Sequence, residues 1–325
     1  MIQFIQGDTF DLIKNLPDNS VDLVITSPPY SDIVNYGKDV STKKPDDYCD
    51  WILPLFKEIY RVLKPSGSFI LNINDKCEGG YRSTYIYDLI SRNNKETKLK
   101  LYDTYIWHKR NGIPNGGTKR FRNTTEFIFH FCKDVKQLKF NMDRVLQEPK
   151  EITKKPVSFP GKIEDGFRGE RKERVMPDKV RPENIFRFST AAASRDNLIK
   201  HPAPYHKELP LYYINLLTDK GDVVLDPFSG IGTTGIACKE LNRDYIGYEL
   251  NETYNNFAKK RIEGILDDKY VVNQYSLDDE FIKSYTSASS AGNELDLCCD
   301  DIMRCYARNG FNTCGGYKWK LEKVN

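Results

Sequence analysis

Apolar and polar residues along this chain change over in blocks of strand or helix length. Residues 21–25, Val21-Asp22-Leu23-Val24-Ile25, form a short apolar run, the pattern of a parallel strand buried on both faces. Two consecutive residues without an N–H, Pro28 and Pro29, end it. Trp51, Leu55, Ile59 and Leu63 then recur at helical spacing, with Asp46 or Asp47 as the expected cap and Lys64-Pro65-Ser66-Gly67 as the expected stop. A second buried run covers 68–73. A helix is predicted near 84–91, and strands over 101–107 and 126–132. A short strand over residues 2–8, ending at Asp8, precedes all of these. From 141 to 200 the periodicity fades into prolines, glycines and mixed charge. It returns as a helix over 209–217, a strand over 222–228, a helix to Leu241, a strand over 244–249 and a helix over 252–265. Helices alternating with apolar strands define an α/β fold with a largely parallel sheet.

Two strand ends carry candidate chemistry. Thr26-Ser27-Pro28-Pro29-Tyr30 offers a hydroxyl, an aromatic ring and, at the stiff Pro-Pro turn, outward carbonyls that accept hydrogen bonds. Asp226-Pro227-Phe228-Ser229-Gly230-Ile231-Gly232-Thr233-Thr234 is a glycine loop opening a helix, where the backbone can approach a ligand closely. The next strand ends in Glu249, about twenty residues past the glycines, where dinucleotide-type folds hold ribose hydroxyls.

Composition changes this picture only locally. The 325 residues are 39% hydrophobic with a net charge of +3, suited to one sizeable α/β domain and an accessory element. No apolar run reaches the roughly 18 residues of a membrane span, and the first residues lack a secretory pattern, so a cytoplasmic location away from membranes is expected. The eight cysteines are scattered and include no CxxC pair, so neither a disulfide framework nor a metal site is expected. Between Arg92 and Arg122, basic residues outnumber acids nine to two, interleaved with Tyr102, Tyr105, Trp107 and Phe121, as suits a polyanion.

In content and order, with the Ser-Pro-Pro-Tyr block early and the Asp-Pro-Phe-Ser-Gly block late, residues 1–265 resemble the β class of S-adenosylmethionine-dependent DNA amino-methyltransferases. The resemblance implies a doubly wound, Rossmann-like methyltransferase sheet, circularly permuted in sequence, whose first two strands are supplied last. It divides the chain into a catalytic half (1–140), an inserted target recognition region (141–200) and a cofactor-binding half (201–266). It implies catalysis at Ser27, Pro28, Pro29 and Tyr30. The cofactor is implied to lie against Asp8, His201, Pro202, Asp226, Phe228, Gly230, Gly232, Thr233 and Glu249. Residues 31–45 would form a mobile loop over the substrate. DNA contacts are implied at Lys109, Arg110, Lys119, Arg120, Arg122, Arg168 and Arg171. Ser27 before the prolines, where adenine enzymes usually carry Asp, points to cytosine N4 as the target, with adenine N6 as the alternative. The base would be flipped out of double-stranded DNA, because its amino group cannot be reached inside the duplex.

Residues 270–325 resemble a small nuclease-associated modular DNA-binding domain of helix-turn-helix type. Short-strand material from 275 to 285, a helix from 287 to 295, a second from 299 to 306 and a terminal strand from 315 to 319 are expected there. Tyr285, Ser287, Ala288, Ala291, Ile302 and the Gly315-Gly316-Tyr317-Lys318-Trp319 ending carry that likeness, and Arg304 is its expected DNA contact. Two other readings remain at this stage: an inactive DNA-binding adapter, and a methyltransferase acting on RNA or a small molecule. A restriction endonuclease counterpart and a homodimer are both left open.

Overall fold

The computed structural model describes residues 1–30, 44–75, 77–78, 80–110, 119, 121–147, 157–159, 163–164, 167–168, 172–174, 178–188, 206–263, 270–285, 288–295, 297, 302, 305 and 313–323. Two compact units divide the chain, Met1–Asn255 and Asn256–Asn325.

The first unit opens with β1 (Ile2–Gln6), α1 (Thr9–Leu12), β2 (Val21–Thr26), α2 (Pro45–Val62) and β3 (Leu63–Ile73). A small hairpin of β4 (Cys77–Glu78) and β5 (Tyr81–Arg82) leads to α3 (Tyr85–Glu96), β6 (Lys100–Lys109) and β7 (Thr125–Cys132). Short strands β8 (Val157–Phe159), β9 (Ile163–Glu164), β10 (Phe167–Arg168) and β11 (Lys172–Arg174) come next, then β12 (Ile185–Phe188). The unit closes with α4 (Glu208–Leu217), β13 (Val223–Asp226), α5 (Thr233–Glu240), β14 (Asp244–Glu249) and α6 (Glu252–Ile262), within which the unit boundary falls.

Eight strands form one sheet in the order β1-β14-β13-β2-β3-β7-β6-β12. From β1 to β3 all neighbours are parallel, while β7 runs antiparallel to both β3 and β6. The permutation expected from sequence is therefore present: β14 and β13, made last, insert between β1 and β2. All six residues of β2 are buried, as its central position requires. Tyr48, Ile52, Leu55, Phe56 and Ile59 of α2 pack into the core shared with Val24, Phe69, Leu71 and Phe131. Asp22, buried at the start of β2, accepts from Lys64 Nζ at 2.7 Å and from the Val223 N–H at 3.0 Å, tying three adjacent strands together.

Three sequence expectations change in detail. Helix α2 starts at Pro45, whose fixed φ and missing N–H suit a first helical position, so neither Asp46 nor Asp47 caps it. Strand β3 begins directly at Leu63, absorbing the Lys64–Gly67 stretch expected to be a turn. Residues 185–188, expected within the recognition insertion, instead give the sheet its edge strand, parallel to β6. β8 pairs antiparallel with β11, and β9 with β10, as two separate two-stranded sheets.

The second unit contains β15 (Tyr270–Tyr275), β16 (Phe281–Tyr285), α7 (Ala288–Leu295), β17 (Thr313–Cys314) and β18 (Tyr317–Lys323). Its four strands form an antiparallel sheet in the order β16-β15-β18-β17. Val272, Tyr285, Ala291, Ile302, Cys305 and Trp319 make a separate small core. Gly315 and Gly316, expected to lie in a terminal strand, form the turn between β17 and β18 at φ +61° and +81°. That pair of positive φ values is what a tight hairpin of this type demands. Ile302 and Cys305 are helical, but the rest of the expected second helix, with Arg304, lies outside the described residues.

Candidate active site

Both motif-bearing strand ends meet at one point of the sheet. β2 and β13 are parallel neighbours, and Thr26 Oγ1 donates to Asp226 Oδ1 at 2.7 Å across their carboxyl ends. The other oxygen of Asp226 accepts from Thr234 Oγ1 at 2.5 Å, and the Phe228 N–H donates to Oδ1 at 3.1 Å. A carboxylate only 1% exposed and bonded this way holds the glycine loop to the catalytic strand. Asp226, expected to contact the cofactor, makes these bonds within the frame of the site.

The glycine loop is built for close approach. Gly230 and Gly232 adopt φ of +52° and +79°, left-handed conformations that residues with a Cβ resist, and Gly232 sits at the N-terminal boundary of α5. The Gly230 N–H donates to Glu249 Oε2, and the Asn251 N–H to Oε1, each at 2.8 Å. Burial pushes the Glu249 carboxyl above its ordinary range, the two backbone N–H groups acting in the opposite sense. Asp8 caps α1 through the Phe10 N–H at 2.9 Å. The Gly7 N–H donates to the Glu249 carbonyl at 3.0 Å, so Asp8 stands beside the end of β14. Phe10, Trp51 and Phe228 form a row of rings 5.6 and 5.8 Å apart. A left-handed glycine loop, two carboxylates at neighbouring strand ends and adjacent rings suit a nucleoside-bearing cofactor such as S-adenosylmethionine.

On the catalytic side, Ser27 is half-buried, Pro28 buried, and the Pro29 carbonyl accepts from Tyr48 Oη at 3.2 Å. Tyr30, expected to offer an open stacking face, is buried in this conformation, its hydroxyl 2.8 Å from Glu126 Oε2 and 3.1 Å from Ser27 Oγ. Glu126 on β7 also binds Asn72 Nδ2 at 3.0 Å and Lys109 Nζ at 2.8 Å. The Lys109 ammonium, expected on DNA phosphate, is therefore engaged by a buried carboxylate. Arg110, Lys119 and Arg122 are exposed, as phosphate contacts need to be. Arg168 lies in β10. His201, Pro202, Arg120, Arg171 and nearly all of the 31–45 loop lie outside the described residues. Sequence patterns missed Thr26, Thr234, Asn72 and the Lys109–Glu126 pair, because each bond joins different strands or a strand and a helix. Among the described residues no acidic, histidine and cysteine cluster suits a metal, and no helix is long and apolar enough to cross a membrane.

A sheet with one inserted antiparallel strand, a glycine loop after β13 and a Ser-Pro-Pro-Tyr turn after β2 define a methyltransferase. Residues 21–260 match the profile of the N6_N4_Mtase family, described as DNA methylase, and the chain belongs to that family. It is an S-adenosylmethionine-dependent DNA methyltransferase of the group that modifies exocyclic amino groups, cytosine N4 or adenine N6. Among its relatives, type II methyltransferase M.HpaI of Haemophilus parainfluenzae is 31% identical, the match covering 80% of this chain and 74% of that protein. DNA adenine methyltransferase YhdJ of Escherichia coli is 28% identical, over 80% and 82% of the two chains. The solved PvuII DNA methyltransferase, described as cytosine-N4-specific, shares the fold with a TM-score of 0.63 at 24% identity, over 80% of this chain and 86% of that one.

Proposed function

We propose that the product is N4-methylcytosine in double-stranded DNA, formed by direct methyl transfer to a flipped base. The observation that carries this reading is Ser27: a neutral hydroxyl, half-buried, one residue past the Thr26–Asp226 bond that joins the catalytic strand to the glycine loop. An exocyclic amino nitrogen is a weak nucleophile because its lone pair is delocalised into the ring. Ser27 Oγ and the Pro28 carbonyl, accepting its two N–H bonds, hold the group so that the lone pair localises and points to the methyl donor. S-adenosylmethionine supplies the electrophilic methyl group. Gly230, Gly232, Thr233 and Glu249 would hold it, with Asp8 at the adenine and Phe228 beside it. The chain's own contribution is mostly positioning, with the product's surplus proton leaving to Ser27 or water. The 141–200 region would read the DNA sequence, and residues 270–325 would add DNA affinity. The relatives named type II methyltransferases make a restriction endonuclease the counterpart to look for.

Adenine N6 is the competing reading, supported by the relative named as a DNA adenine methyltransferase. Mass spectrometry of nucleosides from DNA methylated in vitro separates the two: N4-methylcytosine is expected, and N6-methyladenine alone overturns the cytosine assignment. Ser27→Ala should abolish most turnover with cofactor affinity nearly intact. Gly230→Val should do the reverse, because a β-branched residue cannot adopt the left-handed conformation there without strain.

A further inference from the structure

Glu126 is only 8% exposed, and a carboxylate accepts hydrogen bonds without donating any. Tyr30 has a single phenolic proton and, among the described residues, two acceptors in reach, Glu126 Oε2 at 2.8 Å and Asn72 Oδ1 at 3.4 Å. The shorter bond is also the charge-assisted one, so the proton lies toward Glu126. The Tyr30 oxygen then faces Ser27 Oγ, 3.1 Å away, as an acceptor, which makes Ser27 the donor. A serine hydroxyl has one proton and two lone pairs. With the proton turned toward Tyr30, Ser27 presents lone pairs in its other directions, and an amino group presenting N–H needs that polarity.

We infer that Glu126, paired with Lys109 at 2.8 Å, is a positioning residue that sets the direction of the Ser27–Tyr30–Glu126 hydrogen-bond chain, so that Ser27 meets the target amino group as an acceptor. This rests on the reading of Ser27 given above. The titratable groups facing Glu126 among the described residues are Lys109 from β6 and Tyr30 from the turn after β2, while β3 contributes the neutral Asn72. Glutamine at 126 is nearly isosteric, but it carries an NH₂ group that must face either Lys109, a donor, or Tyr30. Facing Tyr30, it donates to the phenol oxygen, reverses the chain and turns the Ser27 proton toward the substrate.

The test is single-turnover methylation at saturating DNA and cofactor, between pH 6 and 9, with cofactor affinity measured in parallel. Glu126→Gln is expected to slow the step about 10–100-fold at every pH, the size of effect a misdirected buried hydrogen bond produces, with cofactor affinity unchanged. Glu126→Asp, which still accepts hydrogen bonds without donating any, should recover part of the lost rate, whereas a purely architectural role predicts no difference between the two variants beyond their stabilities. A wild-type rate for Glu126→Gln, or a rate for Glu126→Asp no better than that of Glu126→Gln, overturns the inference. If Glu126→Asp does not fold, the rate of Glu126→Gln decides. Ser27→Ala run alongside keeps the two ideas apart: fast turnover there removes the acceptor role itself, whereas slow turnover there with fast Glu126→Gln removes only the part assigned to Glu126.

Discussion

A single carboxylate at the end of β14 carries an opposition between folding and function. Glu249 is raised above the usual glutamate range by burial, so in the protein without cofactor its ionised form is the strained one. Taken alone, this group therefore contributes more to stability on the acid side of its raised titration than on the neutral side. In the proposed role of Glu249, ribose hydroxyls donate to it and need the opposite state. Cofactor affinity should accordingly fall as pH drops through a range lying above the ordinary glutamate value. Titration calorimetry between pH 5 and 8 tests this: wild type should lose affinity on the acid side, and Glu249→Gln should be weaker throughout but flat. An equal acid-side loss in both proteins would place the titrating group elsewhere. The acid at this position was legible in the sequence, because the spacing from the glycines announces it. The companion role of Asp226 was not, because its bonds to Thr26 and Thr234 cross between elements.

Among the elements, the antiparallel insertion of β7 between β3 and β6 buries a histidine with a measurable consequence. His130 is fully enclosed, with Nε2 2.9 Å from Ser68 Oγ on β3 and rings of Tyr102, Tyr105 and Phe140 around it. Burial pushes its pKa down to about 3. It stays neutral in the folded protein but titrates near 6.5 once unfolded, so protons favour the unfolded chain and stability is lost as pH falls from 6.5 toward 3. Between pH 7.5 and 5.5 this one group should remove about 1.4 kcal/mol, or about 3–6 °C in melting temperature for a domain of this size. His130→Gln should show correspondingly less acid sensitivity over the same interval, whatever its absolute stability. Equal slopes for both proteins would contradict the assignment. Strands β6 and β7 were legible as elements from their composition. Their register was not, and it is register that sets Lys109 near Glu126 and His130 against Ser68. Strand β12 was missed altogether, since Ile185-Phe186-Arg187-Phe188 is too short for a periodic signal and follows a stretch rich in charge and proline.

On the scale of the whole molecule, the order of the sheet was readable because two specific blocks, each at a strand's end, fix where the permutation falls. The tail was readable only in part: β16, the first helix and the start of β18 were anticipated, but not β15, β17 or the four-stranded sheet that encloses Trp319. Because that unit has its own core, removing residues after Lys269 should leave a folded enzyme with unchanged cofactor affinity. Its DNA affinity should be weaker, most visibly at low salt, where cationic contacts to phosphate count most. Aggregation of the shortened protein, or unaltered DNA affinity at every salt concentration, would mean that the tail is structural.

The insertion of β14 and β13 between β1 and β2 also sets a timetable. On the ribosome, β2 emerges with β3 to pair on one side, but the strand that covers its other edge is made roughly 200 residues later. At the usual pace of synthesis that is a wait of about 10–40 s. Throughout that interval a strand whose six residues are all destined for burial offers unpaired N–H and C=O groups to any other extended chain. β1 waits longer still, for β14, before it has any partner in the sheet. The nascent N-terminal half is thus a template for misassociation, and newly made enzyme should depend on holding chaperones until residue 249 has left the exit tunnel.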